Sequence, residues 1–341
     1  MKIAIYGAGA MGCLIGGLCA RAGNDVTFIA RGKQREVLAK KGLTLITGND
    51  TWHGAVKAFE NPKDAGTFDI VILTTKAYQL PDIADKLAPL LDGDTMIMPC
   101  VNGVPWWYFQ NHGGTFDGRT LRTVDPDGTL AQHIETHRII GSVNYLAGTL
   151  TEPGVVHYVP QYQFAIGELT GEITPRVELL GKVLADAGLQ VKVSENIREP
   201  IWHKVWGNSA FNPIGALTHG RMDELAKGYH DLDLVLSVMN ETRIVSEALD
   251  IAIPQTPKAR VEMASRMGNH KTSMQQDIEA GRRTEIDAIV GAIREIGLWI
   301  EMPTPYLNAL YSLVKMKEIF YRPEGTGQLQ EPSRKDSAVA S

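Results

Sequence analysis

The sequence is poor in cysteine: only Cys13, Cys19 and Cys100 occur, and no two of them form a Cys-x-x-Cys pair. This sparse, odd set argues against a disulfide framework and predicts reduced thiols. No apolar run reaches the ~18 residues that a membrane helix needs. The chain begins directly with the strand-like MKIAIY, without a cationic leader. Together these absences predict a cytoplasmic protein that does not enter a membrane.

An excess of basic residues is also missing. Lysine and arginine total 34 against 39 acidic residues, for a net charge of −5. A basic stripe for nucleic acid is therefore not expected. His133 and His137 are four residues apart, but their segment lacks helical periodicity and a third ligand, so no metal site is expected. The sequence leaves the oligomeric state open, a homodimer included.

What the first half does contain is an alternation of short apolar strands and helices. Strands are predicted at Lys2–Tyr6, Asp69–Thr74 and Thr95–Pro99, among others, and a helix at Pro81–Leu91. This alternation predicts an α/β fold whose N-terminal part is a Rossmann-like, doubly wound domain. Residues 104–130 carry Trp-Trp-Tyr-Phe followed by turn-forming residues, which predicts an inserted loop or hairpin.

From residue 196 onward the apolar period is helical, which predicts an all-α C-terminal domain. One of its helices is predicted at Glu285–Ile296. The expected domains are residues 1–195 and 196–323. The polar tail 324–341 has no apolar face and is expected to be disordered.

A glycine motif follows the first strand and opens the first helix. It reads G-x-G-x-x-G over Gly7-Ala8-Gly9-Ala10-Met11-Gly12. In this context Gly7 permits the tight turn, Gly9 lets the backbone approach a pyrophosphate, and Gly12 allows close helix–strand packing. The motif therefore predicts a dinucleotide site, the alternative being a glycine-rich turn that binds nothing.

The residue after the second strand indicates which dinucleotide binds. NAD sites place an acidic residue there to bind the ribose 2′-hydroxyl, whereas this chain has Arg31. A guanidinium can bind a 2′-phosphate bidentately, with help from Lys33 or Arg35, so NADPH/NADP⁺ is favoured over NADH. The alternative for each of these cations is an ordinary solvated basic turn.

Two more loops follow buried strands, where open α/β sheets bind their ligands. Lys76 lies in the first and could neutralise a carboxylate or phosphate. Asn102 lies in the second and could hold the nicotinamide ribose or the substrate. Each could equally be a simple loop residue.

A polar stripe crosses an otherwise apolar helix in the second domain. Lys204, Asn208 and Asn212 fall at i, i+4 and i+8, on one helical face. Such a stripe needs buried partners or a ligand; the alternative is a solvent-facing stripe, for which asparagine is a poor choice. Ser273 and Glu285 lie near two helix starts, where Ser273 could hold a substrate carboxylate, although both could be mere capping residues.

In order and spacing, these motifs resemble the ketopantoate reductase (2-dehydropantoate 2-reductase) family over most of residues 1–320. The resemblance implies an NADPH-dependent reductase of a small 2-keto acid. It implies that Lys204 is the general acid and that Glu285 binds the nascent hydroxyl or positions Lys204. Substrate contacts would come from Asn208, Asn212, Ser273 and Asn102. Cofactor contacts would come from Gly7 to Gly12, Arg31, Lys76, Asn102 and Glu285.

The implied chemistry is coherent, because hydride addition to a keto acid leaves negative charge on the keto oxygen, which an ammonium can stabilise and protonate. The sequence departs from the family near the substrate, at the long 104–130 segment and at His270, where the family often has asparagine. A different 2-keto acid is therefore an alternative, with Trp106, Trp107 and Tyr108 as an aromatic lid unless the tryptophans plug a domain interface. A non-catalytic NADPH sensor is a further alternative, although it would not need an acid such as Lys204.

Overall fold

The computed structural model describes residues 1–48, 50–160, 163–227, 232–266 and 268–321. The chain forms two compact units that divide between Ile201 and Trp202, inside one long helix. The tail 324–341, predicted to be disordered, lies outside the described residues. Across the described ranges, no helix is both long enough and apolar enough to cross a membrane.

The first unit is built on a five-stranded parallel sheet. In spatial order its strands are β5 (Lys57–Phe59), β2 (Asp25–Ile29), β1 (Lys2–Tyr6), β6 (Ile70–Leu73) and β7 (Met96–Pro99). The three apolar strands β1, β6 and β7 are buried almost throughout, as expected for a sheet covered on both faces. The strand order reverses at β1, so the loops after β1 and β6 flank the crevice where such sheets bind ligands. The predicted Rossmann-like fold is confirmed.

Two smaller sheets complete this unit. One has the order β4 (Asp50–Gly54), β3 (Leu43–Thr47), β10 (Val155–Val159), β9 (Ala147–Glu152), and the other β12 (Gln190–Val193), β11 (Gln163–Glu168), β8 (Ile140–Asn144). The helices of the unit are α1 (Ala10–Arg21), α2 (Gly32–Lys41), α3 (Pro81–Ala84), α4 (Thr129–His133) and α5 (Pro175–Asp186).

Helix α1 is rich in small residues because two sheets press against it. A Cβ atom at Gly16 would lie 2.6 Å from the Phe28 ring on β2, and one at Gly17 would lie 2.8 Å from Leu43 on β3. Both glycines therefore permit backbone contact that no larger residue allows. The resulting close packing fixes the helix whose first turn carries the glycine motif.

The prediction of one helix over Pro81–Leu91 is wrong for the second half of that range. Helix α3 ends after Ala84, and a separate 3₁₀ turn spans Ala88–Leu90. Pro89 explains the break, because a proline lacks the N–H for an intrahelical bond and its ring clashes with the carbonyl four residues earlier.

Residues 104–130 contain turns rather than the hairpin that was one of the two expectations. Their aromatic side chains are buried: Trp106 is 3% exposed, Trp107 1% and Tyr108 0%. These three residues therefore belong to the core, which does not favour the aromatic lid. Arg198 anchors the segment, since its guanidinium donates to the carbonyl oxygens of Tyr108 (2.9 Å), Gln110 (2.8 Å) and Leu169 (2.9 Å).

The regular secondary structure in the described part of the second unit consists of helices, which confirms the predicted all-α domain. Its helices are α6 (Arg198–Thr218, which crosses the division), α7 (Met222–Lys227), α8 (Leu232–Glu247), α9 (Pro257–Ser265), α10 (Ser273–Glu279), α11 (Ala292–Trp299) and α12 (Pro305–Phe320). The helix predicted at Glu285–Ile296 begins instead as a π-helical turn, Asp287–Gly291, that leads into α11.

Asp287 secures this π turn from within the unit. Its carboxylate accepts a 2.7 Å hydrogen bond from the Tyr311 hydroxyl and lies 3.0 Å from Arg283 and 3.3 Å from Lys315. Burial acts to raise the pKa of Asp287, but the cations and the hydroxyl outweigh it and hold that pKa below its ordinary value. The turn is thus tied to α12 by a charged network.

Candidate active site

The loops after four parallel strands meet at the carboxyl edge of the first sheet. They carry the glycine motif after β1, Arg31 after β2, Lys76 after β6 and Asn102 after β7. Backbone bonds continue the strand register into two of these loops: Gly7 donates to Ile29 O (3.0 Å) and Thr74 donates to Tyr6 O (2.9 Å). The structure therefore brings together the predicted cofactor residues of this unit, whereas Glu285 lies in the second unit.

The glycine motif has the shape that a pyrophosphate requires. Gly7 has a φ of +107°, which favours glycine. A Cβ atom at Gly12 would lie 2.0 Å from the Gly7 carbonyl oxygen, so only glycine fits there. A Cβ atom at Gly9 would meet nothing within 4 Å. The open side of Gly9, beside the N-terminus of α1, leaves room for a phosphate to reach the backbone, and the loop fits a dinucleotide.

Two side chains that the sequence analysis did not single out hold the carbonyl groups of this loop. The Thr74 hydroxyl donates to Gly7 O (2.6 Å), and the Gln34 amide nitrogen donates to Ala8 O (2.9 Å). Thr74 could have been noticed as a polar residue directly after a buried strand. Gln34 gives no such signal, because it looks like one more polar residue on a helix rich in lysine and arginine.

Beneath the loop, Cys13 lies 3.2 Å from the same Gln34 nitrogen. Burial raises the pKa of the Cys13 thiol to about 12, with the Gln34 hydrogen bond acting in the opposite direction. The thiol is therefore neutral at physiological pH, and it adds no negative charge under a site that would receive phosphates.

Arg31 lies exposed at the start of α2, in extended backbone with φ −121° and ψ 159°. The first turn of α2 contains no acidic residue, and it adds Lys33, which is also exposed. Burial raises the pKa of Tyr6 at the end of β1, while the positive charge of Arg31 acts to lower it. The electrostatic effect of Arg31 therefore extends to the carboxyl edge of the sheet. The position suits a 2′-phosphate and lacks the carboxylate of a typical NAD site.

Lys76 and Asn102 are both half-buried at this edge. The backbone at Lys76 is fixed by Gln79, whose side chain accepts from Lys76 N (3.1 Å) and whose own N–H donates to Lys76 O (2.9 Å). Asn102 precedes Gly103, which has a φ of +88° and so turns the chain away from the sheet.

In the second unit, helix α6 carries all three residues of the predicted polar stripe. Lys204 and Asn208 are half-buried, and Asn212 is 6% exposed. Pro213 follows inside the same helix, where its missing N–H interrupts the helical hydrogen bonds. The helix nevertheless continues through Asn212 and Pro213 to Thr218.

The start of α10 packs against the Asn212 end of α6. A Cβ atom at Gly215 would lie 3.2 Å from the Thr272 side chain, and Thr272 caps α10 by accepting from Gln275 N (3.1 Å). Since Thr272 is the cap, Ser273 is the first helical residue, and it is exposed. Capping was one of the two roles that the sequence left open for Ser273, and the structure assigns the cap to Thr272.

Glu285 is 5% exposed and lies two residues before the π turn. Thr284 is buried next to it and accepts a hydrogen bond from Ile286 N (3.2 Å), while its own N–H donates to Glu318 (2.6 Å). At this helix start a side-chain hydrogen bond to the backbone is thus made by Thr284. In the described part of the chain, no cluster of three histidine, cysteine or acidic side chains could hold a metal ion.

Family comparisons agree with this architecture. The N-terminal model of the family described as "Ketopantoate reductase PanE/ApbA" matches residues 3–171, and its C-terminal model matches residues 196–318. The chain belongs to the ketopantoate reductase family. The resemblance inferred from the motifs is confirmed, and with it the assignment to the NAD(P)-dependent oxidoreductases that this family comprises.

Individual relatives cover nearly the whole described chain. A 2-dehydropantoate 2-reductase of Mesorhizobium japonicum is 40% identical over 316 residues, which are 92% of this chain and 97% of the relative. The crystal structure of a ketopantoate reductase candidate from Ralstonia solanacearum has a TM-score of 0.88 at 35% identity, covering 93% of this chain and 97% of that one. A D-mandelate dehydrogenase, solved with NADH and anilino(oxo)acetate, has a TM-score of 0.80 at 25% identity, covering 93% and 98%.

Proposed function

We propose that this protein reduces 2-dehydropantoate to pantoate with NADPH as the hydride donor. The 40% identity to a 2-dehydropantoate 2-reductase over almost the full length supports this substrate. The observation that carries the proposal is the helix α6, which presents one amine and two carboxamides, Lys204, Asn208 and Asn212, on one face. A keto acid offers the oxygen atoms that such a set recognises.

The choice of NADPH rests on the start of α2. Arg31 and Lys33 are exposed there and no acidic residue occupies the first turn of the helix. A guanidinium binds a phosphate through two parallel hydrogen bonds, whereas a carboxylate at this place would repel it. The open side of Gly9 would receive the pyrophosphate, with Lys76 adding positive charge at the same edge.

In the proposed reaction, the bound nicotinamide supplies the hydride that adds to C2 of the keto acid. Negative charge then develops on the keto oxygen; the Lys204 ammonium stabilises that charge and donates a proton to the oxygen. Glu285 binds the nascent hydroxyl or positions Lys204. Asn208, Asn212 and the Ser273 hydroxyl bind the polar groups of the substrate, and Asn102 binds the nicotinamide ribose or the substrate.

A second candidate is the reduction of a different 2-keto acid. The D-mandelate dehydrogenase neighbour favours it, because that protein was solved with NADH and an oxoacetate compound.

The homodimer and the cytoplasmic location stay predictions.

A panel of keto acids, followed by the loss of NADPH or NADH absorbance, separates these candidates. We expect the highest kcat/KM for 2-dehydropantoate with NADPH, against 2-oxoisovalerate and phenylglyoxylate as matched 2-keto acids. A higher kcat/KM for phenylglyoxylate would move the assignment to the second candidate. NADPH binding without turnover of any keto acid would contradict both and would favour the sensor.

A further inference from the structure

The Gln34 side chain links three parts of the first unit through one amide group. Its nitrogen donates to Ala8 O in the glycine loop (2.9 Å) and lies 3.2 Å from Cys13 Sγ on α1. Its oxygen accepts from Gly154 N, between β9 and β10 (3.1 Å). Gln34 itself belongs to the first turns of α2, the helix that starts beside Arg31.

The bond to Gly154 determines which end of the Gln34 amide points at the loop. Gly154 has a φ of +77°, and its carbonyl accepts from Thr44 N (2.8 Å), so its N–H direction is set by the sheet. An N–H can be accepted only by the amide oxygen. The amide nitrogen is therefore left to face Ala8 O, and the side chain is oriented at both ends.

The carbonyl that Gln34 holds is one that must not face a phosphate. A loop that binds a pyrophosphate presents its N–H groups to the anion, and a carbonyl turned the same way would repel it. Thr74 holds the carbonyl of Gly7 from the β6 side (2.6 Å), and Gln34 holds that of Ala8 from the α2 side. Two consecutive carbonyl groups of the loop are thus held by side chains.

We propose that Gln34 is a positioning residue for the cofactor: it holds the Ala8 peptide so that the loop N–H groups face the pyrophosphate. The inference rests on the proposed nicotinamide dinucleotide. It assigns Gln34 a role distinct from that of Arg31, because the pyrophosphate is common to NADPH and NADH, whereas the 2′-phosphate is not.

The test uses the purified full chain and two variants of Gln34. Gln34→Met removes both polar ends at similar length, and Gln34→Glu keeps an acceptor for Gly154 N but loses the donor to Ala8 O. Glu36→Gln is the matched control, since Glu36 is exposed on the same helix. Isothermal titration measures the Kd of NADPH, NADH and adenosine 2′-monophosphate, which has no pyrophosphate, and thermal unfolding without ligand is recorded for each chain.

Gln34→Met is expected to raise the Kd of NADPH and NADH by the same factor, about fivefold to tenfold for one oriented hydrogen bond. Gln34→Glu should raise both by at least as much, with a larger loss for NADPH, because it also brings a carboxylate into the first turn of α2. In Gln34→Met the Kd of adenosine 2′-monophosphate is expected to stay within about twofold, as one-site additivity implies for an unaltered phosphate contact. The control should match the wild type throughout.

Unchanged NADPH and NADH affinities in Gln34→Met would overturn the assignment. So would a loss confined to NADPH and adenosine 2′-monophosphate, which would place the effect at Arg31, or an equal loss of all three ligands. A wild-type chain that binds neither dinucleotide would contradict the proposed function itself, a result distinct from the others.

Discussion

Replacing Arg198 by methionine should destabilise the first unit. Arg198 is 7% exposed, and its guanidinium donates to three backbone carbonyl oxygens, on Tyr108, Gln110 and Leu169. Methionine can fill much of the same volume but donates no hydrogen bond. The segment that holds the buried Trp106 and Trp107 would lose its attachment to the start of α6.

The size of this effect follows from the three acceptors. The carbonyls of Tyr108 and Leu169 are bonded in buried surroundings, whereas that of Gln110 is only partly buried and can turn to water. A buried carbonyl without a donor costs about 1–3 kcal/mol. Burial lowers the pKa of Arg198, which reflects the unfavourable desolvation of its charge. Removing the cation removes that unfavourable free energy and so offsets part of the loss from the unpaired carbonyls. We expect a net loss of about 2–4 kcal/mol.

Urea unfolding followed by tryptophan fluorescence measures this loss as a lower midpoint at unchanged slope. Lys182→Met is a suitable control, because it removes a cation from the same unit at a side chain that is 72% exposed. An exposed pair of this kind contributes at most about 0.5 kcal/mol. A loss below about 1 kcal/mol for Arg198→Met would refute the reasoning from buried acceptors.

Other expected outcomes concern the loop, the cofactor and the π turn. Gly12→Ala should lower both thermal stability and NADPH affinity, because its Cβ atom would lie 2.0 Å from Gly7 O. Gly9→Ala should lower NADPH affinity alone, and equal melting temperatures for the two variants would contradict this difference. Arg31→Asp should raise the Kd of NADPH far more than that of NADH, and equal losses would exclude the 2′-phosphate contact. The pKa of Asp287 is lower in the folded than in the unfolded chain, where it is about 4. The carboxylate therefore stabilises the fold fully above about pH 4, and this contribution is lost as the pH falls through the folded pKa. Asp287→Asn should therefore lower the unfolding free energy at pH 7, and the difference from the wild type should become smaller as the pH is lowered. A difference that does not change with pH would contradict the stabilising role of the Asp287 carboxylate.

Much of the fold could be predicted because burial leaves a pattern in the sequence. Apolar runs such as Ile70–Leu73 mark strands covered on both faces, and the glycine motif marks the first turn. The strand Ala147–Glu152 was missed, since its residues, Ala-Gly-Thr-Leu-Thr-Glu, show no alternation of apolar side chains. The π turn at Asp287–Gly291 was missed because its residues also fit an ordinary helix.

The candidate site could be predicted where function dictates residue type and spacing. The stripe from Lys204 to Asn212 appears in the sequence because a helix brings every fourth residue to one face. Gln34 could not be predicted, because its partners Ala8 and Gly154 are backbone groups that any residue provides. Contacts of side chains with distant backbone leave no trace in residue spacing.

The most direct test of the proposed reaction is the effect of Lys204→Ala on turnover and on cofactor binding in the same preparation. With saturating NADPH and 2-dehydropantoate, kcat should fall by at least about a hundredfold, as expected for a missing general acid, while the Kd of NADPH stays nearly unchanged. An unchanged kcat would show that the amine of Lys204 does not protonate the keto oxygen.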